Sequence, residues 1–103
     1  MGTTRTRLAG LIPVDFQVLS LANSTALGLN STMRASRVLD VSVETQACRY
    51  RQDGTVPTLT SGVILQKDTT YRMEGYNGTA SLKFQRTTGT SKVSIMGYKH
   101  PGD

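Results

Sequence analysis

The side chains able to carry acid–base, nucleophilic or metal chemistry are few in this 103-residue chain. There is one histidine, His100, close to the C-terminal end, one cysteine, Cys48, and two glutamates, Glu44 and Glu74. A hydrolase that relies on a His base, or a glycosidase that relies on paired glutamates, has almost nothing to work with. A lone cysteine excludes an intramolecular disulfide, and without Cys or His partners it supports no zinc site. Asp15, Asp53 and Asp68 do not recur at the spacing of a calcium loop and read as turn formers. Cys48, at a core-facing strand position with no histidine nearby, reads as a small buried hydrophobe. These residues predict a protein that is not an enzyme and holds no metal or cofactor.

Cations offer more. Lys plus Arg number 12 against 7 Asp plus Glu, a formal net charge of +5, and arginine supplies most of the excess. Arginine suits bidentate contact with carboxylate or phosphate, so an Arg-rich chain is equipped to bind something acidic. Yet Arg5, Arg7, Arg34, Arg37, Arg49, Arg51, Arg72 and Arg86 are scattered. A single-strand-binding sheet should interleave aromatics with cations on one face, and the one such cluster, Arg49-Tyr50-Arg51, alternates Tyr50 to the opposite side. Nucleic acid is therefore not the expected partner. The three sequons, at Asn23, Asn30 and Asn77, arise readily in a chain this rich in Ser and Thr.

The elements that must position these residues are strands. Hydrophobic residues are 37% and aromatics 6%, with no Trp, so the core must be built mainly from Val, Leu, Ile and Ala. Helical spacing is hard to find; the best window, Leu19 to Leu29, is broken by Asn23-Ser24-Thr25 and Gly28. Asp15 to Ala22 predicts a first strand, apolar on both sides, with Phe16 and Val18 on one face and Leu19 and Leu21 on the other. Leu27 and Leu29 follow. Leu39, Val41 and Val43 then alternate with Asp40, Ser42 and Glu44 as a half-buried strand. The phase shifts near Thr45-Gln46-Ala47, which predicts a bulge or a bend between two sheets before the Cys48 to Arg51 strand.

Asp53-Gly54 and Pro57 predict a loop from Gln52 to Ser61, since Pro57 has no amide to donate to a ladder. Strands are expected at Gly62–Gln66, after that at Thr69–Tyr76, then Thr79–Thr87 and Ser91–Lys99. Asn77-Gly78 signals a tight hairpin joining the middle pair. In those last two strands Leu82, Phe84, Val93 and Ile95 should face inward, and Lys83 and Gln85 outward. The expected fold is all-β, a small antiparallel sandwich or barrel of seven to eight short strands at residues 15–99, with a tail at 100–103.

Residues 1–14 are expected to form an extended N-terminal arm. Its apolar patch, Leu8 to Val14, is too short to span a membrane and is interrupted by Gly10 and Pro13. Leu8, Leu11, Ile12 and Val14 need burial but have no evident strand partner. The arm folds back over the sandwich, adds to a sheet edge on a neighbouring subunit, or is a partly disordered terminus. With Arg5 and Arg7 it forms one half of a candidate interface. The other half is Arg49, Arg51 and Asp53 beside the rigid Asp53-Gly54 and Pro57 loop; these three form either an internal clasp or a preorganised docking element.

The run Arg49-Tyr50-Arg51-Gln52-Asp53-Gly54-Thr55-Val56-Pro57-Thr58, in a short, Thr-rich, basic β-chain over residues 16–98, resembles small bacteriophage virion proteins. The resemblance implies a structural component: a head decoration (cement) protein, or a neck, tail or fibre-attachment part. It also implies a homo-oligomer bound to a major capsid or other virion protein, located in the virion and made in the bacterial cytoplasm. A β-module that binds glycan or single-stranded nucleic acid is the rival reading; several tyrosines exposed on one face, drawn from Tyr50, Tyr71, Tyr76 and Tyr98, would favour the glycan form.

Overall fold

A computed structural model of the chain describes residues 10–74 and 81–102. Eight strands occur: β1 (Ile12–Leu21), β2 (Leu27–Gly28), β3 (Val38–Val43), β4 (Cys48–Arg51), β5 (Val63–Leu65), β6 (Thr69–Glu74), β7 (Lys83–Arg86) and β8 (Ser91–Lys99). They form two four-stranded antiparallel sheets, in the order β1-β8-β3-β6 and β2-β7-β4-β5. Apolar residues of both sheets share one core: Leu19, Leu21, Leu39, Val41, Val43, Val93 and Ile95 from the first sheet, and Cys48, Leu65 and Phe84 from the second. This is the expected β-sandwich. Alternation dictates it, because each strand has one apolar face and two such faces bury each other.

Successive strands cross from one sheet to the other, with β4 and β5 the exception: they are consecutive, paired and in one sheet. Thr45-Gln46-Ala47 is one of the crossings, so the phase shift there is the bend between sheets. It is pinned by Thr45 Oγ1, which donates to the Thr90 carbonyl at 2.7 Å, and by Ser91 Oγ, which donates to the Gln46 carbonyl at 2.7 Å. The Asn77-Gly78 hairpin is not formed as expected. β6 pairs with β3 and β7 with β4, in different sheets, so the connection carries the chain across the sandwich instead of folding it back on itself. Asn77 and Gly78 themselves lie outside the described residues.

The first strand begins at Ile12, not Asp15. Ile12 and Pro13 pair with Lys99 and Tyr98, so the last three residues of the expected arm belong to the sheet. Pro13 is tolerated because β1 is an edge strand, and the register shift between Pro13 and Asp15 leaves Val14 as an extra residue in a bulge. On the inner face of β8, Gly97 gives room to a 3-10 turn, Met33–Ala35: a Cβ at Gly97 would stand 2.5 Å from Met33 Sδ and 3.0 Å from Ser36 Cβ. Asn30 Oδ1 accepts from the Met33 amide at 2.7 Å and so starts that turn, which is what this sequon asparagine does locally.

Candidate docking site

The β4–β5 hairpin is joined by residues 52–62, a loop at one end of the second sheet. Arg49 and Arg51 stand on the outer face of β4, while Cys48 and Tyr50 point into the sandwich; Cys48 is buried and Tyr50 is half-buried against the core. Burial pushes the Cys48 thiol up to about 12, so it is a packing group and not a nucleophile in the folded chain.

The two arginines do different work. Arg49 does not reach Asp53, contrary to the paired-cluster expectation. Its Nε donates to the Leu59 carbonyl at 3.1 Å and its Nη1 to the Gly62 carbonyl at 3.0 Å, which straps the loop down across the sheet. The short spacing from Arg51 to Asp53 decides the other contact. Arg51 Nε donates to Asp53 Oδ1 at 3.0 Å, and Nη2 donates to Oδ2 in the second arm of a bidentate pair. Asp53 Oδ1 also accepts from the Thr55 amide at 3.3 Å, an Asx-type turn that fits the positive φ of Gly54. The hydrogen bonds from Arg51 hold the Asp53 carboxyl down at about 2. The internal clasp therefore exists, made by Arg51 and Asp53 without Arg49.

The loop closes by a tight fit. Thr58 N donates to the Ser61 carbonyl at 2.9 Å, and Pro57 is buried. Gly62 sits at φ +136°, where a Cβ would meet Arg49 Cβ at 3.0 Å and Pro57 Cβ at 3.2 Å. Beside this lies an open recess of about 410 Å³ lined by Tyr50, Arg51, Gln52, Asp53, Gly62 and Val63. Val63, one of the lining residues, is 56% exposed; Val56 and Ile64, outside the lining, are exposed as well.

The arm half of the candidate interface is spread differently. Arg5, Arg7 and Leu8 lie outside the described residues. Leu11 and the bulged Val14 are half-buried, and Ile12 is exposed. The sequence put Phe16 and Val18 on one face of the first strand, opposite Leu19 and Leu21, without saying which face is wet and without marking them as interface. Phe16 is 56% and Val18 45% exposed, so with Ile12 they make β1 an apolar edge strand, and no described strand pairs with its outer edge.

The remaining arginines with visible partners act as internal clamps. Arg72 makes a bidentate pair with Asp40 across β6 and β3, and Arg86 donates to the Asn23 and Gly89 carbonyls. Arg34 Nε donates to the Leu29 carbonyl. The tyrosines do not gather on one face: Tyr50 and Tyr71 pack against the core, and Tyr98 lies on the outer face of the first sheet beneath Arg72. Tyr76 is outside the described residues. No protein-family model, curated protein or solved structure matches this chain.

Proposed function

We propose that the chain is a non-enzymatic virion structural protein, a capsid decoration (cement) protein that docks on the head lattice and holds neighbouring subunits together. The observation that carries the reading is the apolar outer edge of β1, directly after the N-terminal segment. An edge strand in an isolated protein is ordinarily protected by charge, and β1 offers Asp15 alone beside Ile12, Phe16 and Val18. Proline and a bulge guard its first residues, which leaves Asp15–Leu21 open to a partner strand. Full burial of such side chains contributes about 1.5–3 kcal/mol each, so covering Phe16 and Val18, each about half exposed, contributes roughly 1.5–3 kcal/mol per copy. That is too little for one tight complex after the cost of association. It is ample when many copies sit on a repeating lattice and contact one another.

Residues 1–9, with Arg5, Arg7 and Leu8, extend this contact to a neighbouring copy or to the major capsid protein. A neck or tail station uses the same surface and differs in copy number. Purified virions test the reading: protein quantification should find the chain at a multiple fixed by the head lattice, and a small fixed copy number would move it to the neck or tail. Its absence from the particle would end the proposal.

A further inference from the structure

We propose that the outer face of the first sheet packs on the same face of a second copy of this chain, the two sheets stacked about 10 Å apart with β1 over β1. The proposal rests on reading the chain as one that holds neighbouring subunits together, and it names the partner of the apolar side chains beside the β1 edge. The register sets this face out in rows. One row runs Phe16, Met96, Asp40, Arg72 from β1 through β8 and β3 to β6, and the next runs Val18, Ser94, Ser42, Thr70. Phe16 and Val18 are exposed and Met96 is half-buried. The second sheet and the 3-10 turn both pack on the inner side, so among the described residues no strand or 3-10 turn covers these rows.

Charge selects the occupant. The chain carries a formal +5, so two copies meet favourably through a surface free of that excess. On this face the cations are already answered. Arg72 donates to both Asp40 oxygens at 2.8 and 2.9 Å, Lys92 lies 3.9 Å from Glu44, and Glu74 adds an acid near Arg72. The outer face of the second sheet is the opposite case, with Arg49 and Arg51 on β4, Lys83 of β7 directly opposite Arg51, and no acid on its strands. A two-fold axis in the interface plane, running across the strands between the two rows, lays Phe16 on Val18 of the second copy, and Asp40 and Arg72 on its Ser42 and Thr70. Apolar groups then meet apolar groups and the ion pair meets hydroxyls, with no like charges opposed. An axis along the strands would lay Phe16 and Val18 over the polar β6 instead. Four strands about 4.8 Å apart and about 20–30 Å long make a face of roughly 400–600 Å² per copy. That is below the roughly 800 Å² per partner of a stable complex. The pair is therefore weak in solution, dissociating at about 0.1–1 mM, and fills where a lattice concentrates the copies.

The test is isotope-filtered NMR on an equal mixture of labelled and unlabelled full chain at millimolar concentration. Contacts are expected between the Val18 methyls of one copy and the Phe16 ring of the other. Sedimentation equilibrium should show mass rising with concentration. Val18→Lys should weaken the association about fivefold or more, while Lys83→Gln, on the second sheet, stays within about twofold, both with unchanged melting. No self-association at millimolar concentration, no contact between Val18 and Phe16 of different copies, or association of Val18→Lys equal to the parent each overturns the proposal. These measurements use the protein alone, so such a failure leaves docking on the capsid intact, whereas absence from virions would leave this pair standing.

Discussion

Gly62→Ala is the sharpest perturbation of the loop that shapes the recess. Two costs add. An L-residue at φ +136° is strained, of order 1–3 kcal/mol. The new methyl must also push against Arg49 Cβ at 3.0 Å, Pro57 Cβ at 3.2 Å and the Tyr50 carbonyl oxygen at 3.2 Å. None of these is the far end of a flexible side chain, so overpacking contributes about 1–3 kcal/mol more. Lifting the loop is no cheaper, because it gives up both hydrogen bonds from Arg49, at about 1.5–3 kcal/mol each, together with the burial of Pro57. The loss is therefore about 2–6 kcal/mol, and for a domain of this size the melting temperature should fall by at least about 10 °C. Gly54→Ala is the control: φ is +87° there but nothing lies within 4 Å of its Cβ, so only backbone strain of about 1–2 kcal/mol remains. Calorimetry on both variants, with amide exchange read at Leu59 and Val63, separates the two costs. If Gly62→Ala melts no lower than Gly54→Ala, the loop is not clamped as described and the recess has no fixed shape.

Gly97→Ala should cost about 3 kcal/mol by chemical denaturation, the upper end for overpacking, because Met33 and Ser36 are fully buried and cannot retreat; a loss under about 1 kcal/mol would contradict the packing of the 3-10 turn on β8. The Asp53 carboxyl has a folded value of about 2, below its ordinary 3.8, so its stabilisation is present in full above pH about 4 and is lost as pH falls toward 2. Asp53→Asn should flatten the melting profile across that window, and a profile identical to the parent would remove the Arg51 pair as its cause. Cys48, raised to about 12 and buried, should resist thiol reagents until the chain unfolds; rapid labelling of the native protein would show that the core opens. Light scattering should give a full chain larger than a monomer and a smaller species for residues 10–103, and equal masses would take the N-terminal segment out of self-assembly. The truncation must stop before Ile12, because Ile12 and Pro13 are paired with β8.

Strand positions were legible where alternation is local. Leu39, Val41 and Val43 announce β3, and Val93 and Ile95 announce β8, because a two-residue period needs no knowledge of the partner. Partnership was not legible in the same way. Asn77-Gly78 carries a strong local hairpin signal, yet β6 pairs with β3 and β7 with β4 in opposite sheets, and burying their apolar faces in the shared core outweighs a turn preference. Gln85 shows the same limit: its position is on the outer face, as expected, but it is wholly buried and its Nε2 has no partner among the described residues. At the site, the two-residue spacing of Arg51 and Asp53 made their pair readable. The strap from Arg49 to the Leu59 and Gly62 carbonyls was not, since backbone acceptors leave no mark in a sequence. Lys83 became visible as a neighbour of Arg51 only through the β4–β7 register. Phe16 and Val18 carried a usable signal, a strand apolar on both sides, which in a two-layer fold must leave one side uncovered.

Occupancy of the particle tests the central claim most directly. Virions prepared without this protein should be incubated with the full chain, with residues 10–103 and with Phe16→Ser, and the bound copies counted by quantitative mass spectrometry. Docking through the β1 edge and its N-terminal segment predicts lattice-level occupancy for the full chain and a clear loss for both variants, while their melting stays close to the parent. Equal occupancy by all three, or none by the full chain, would contradict it.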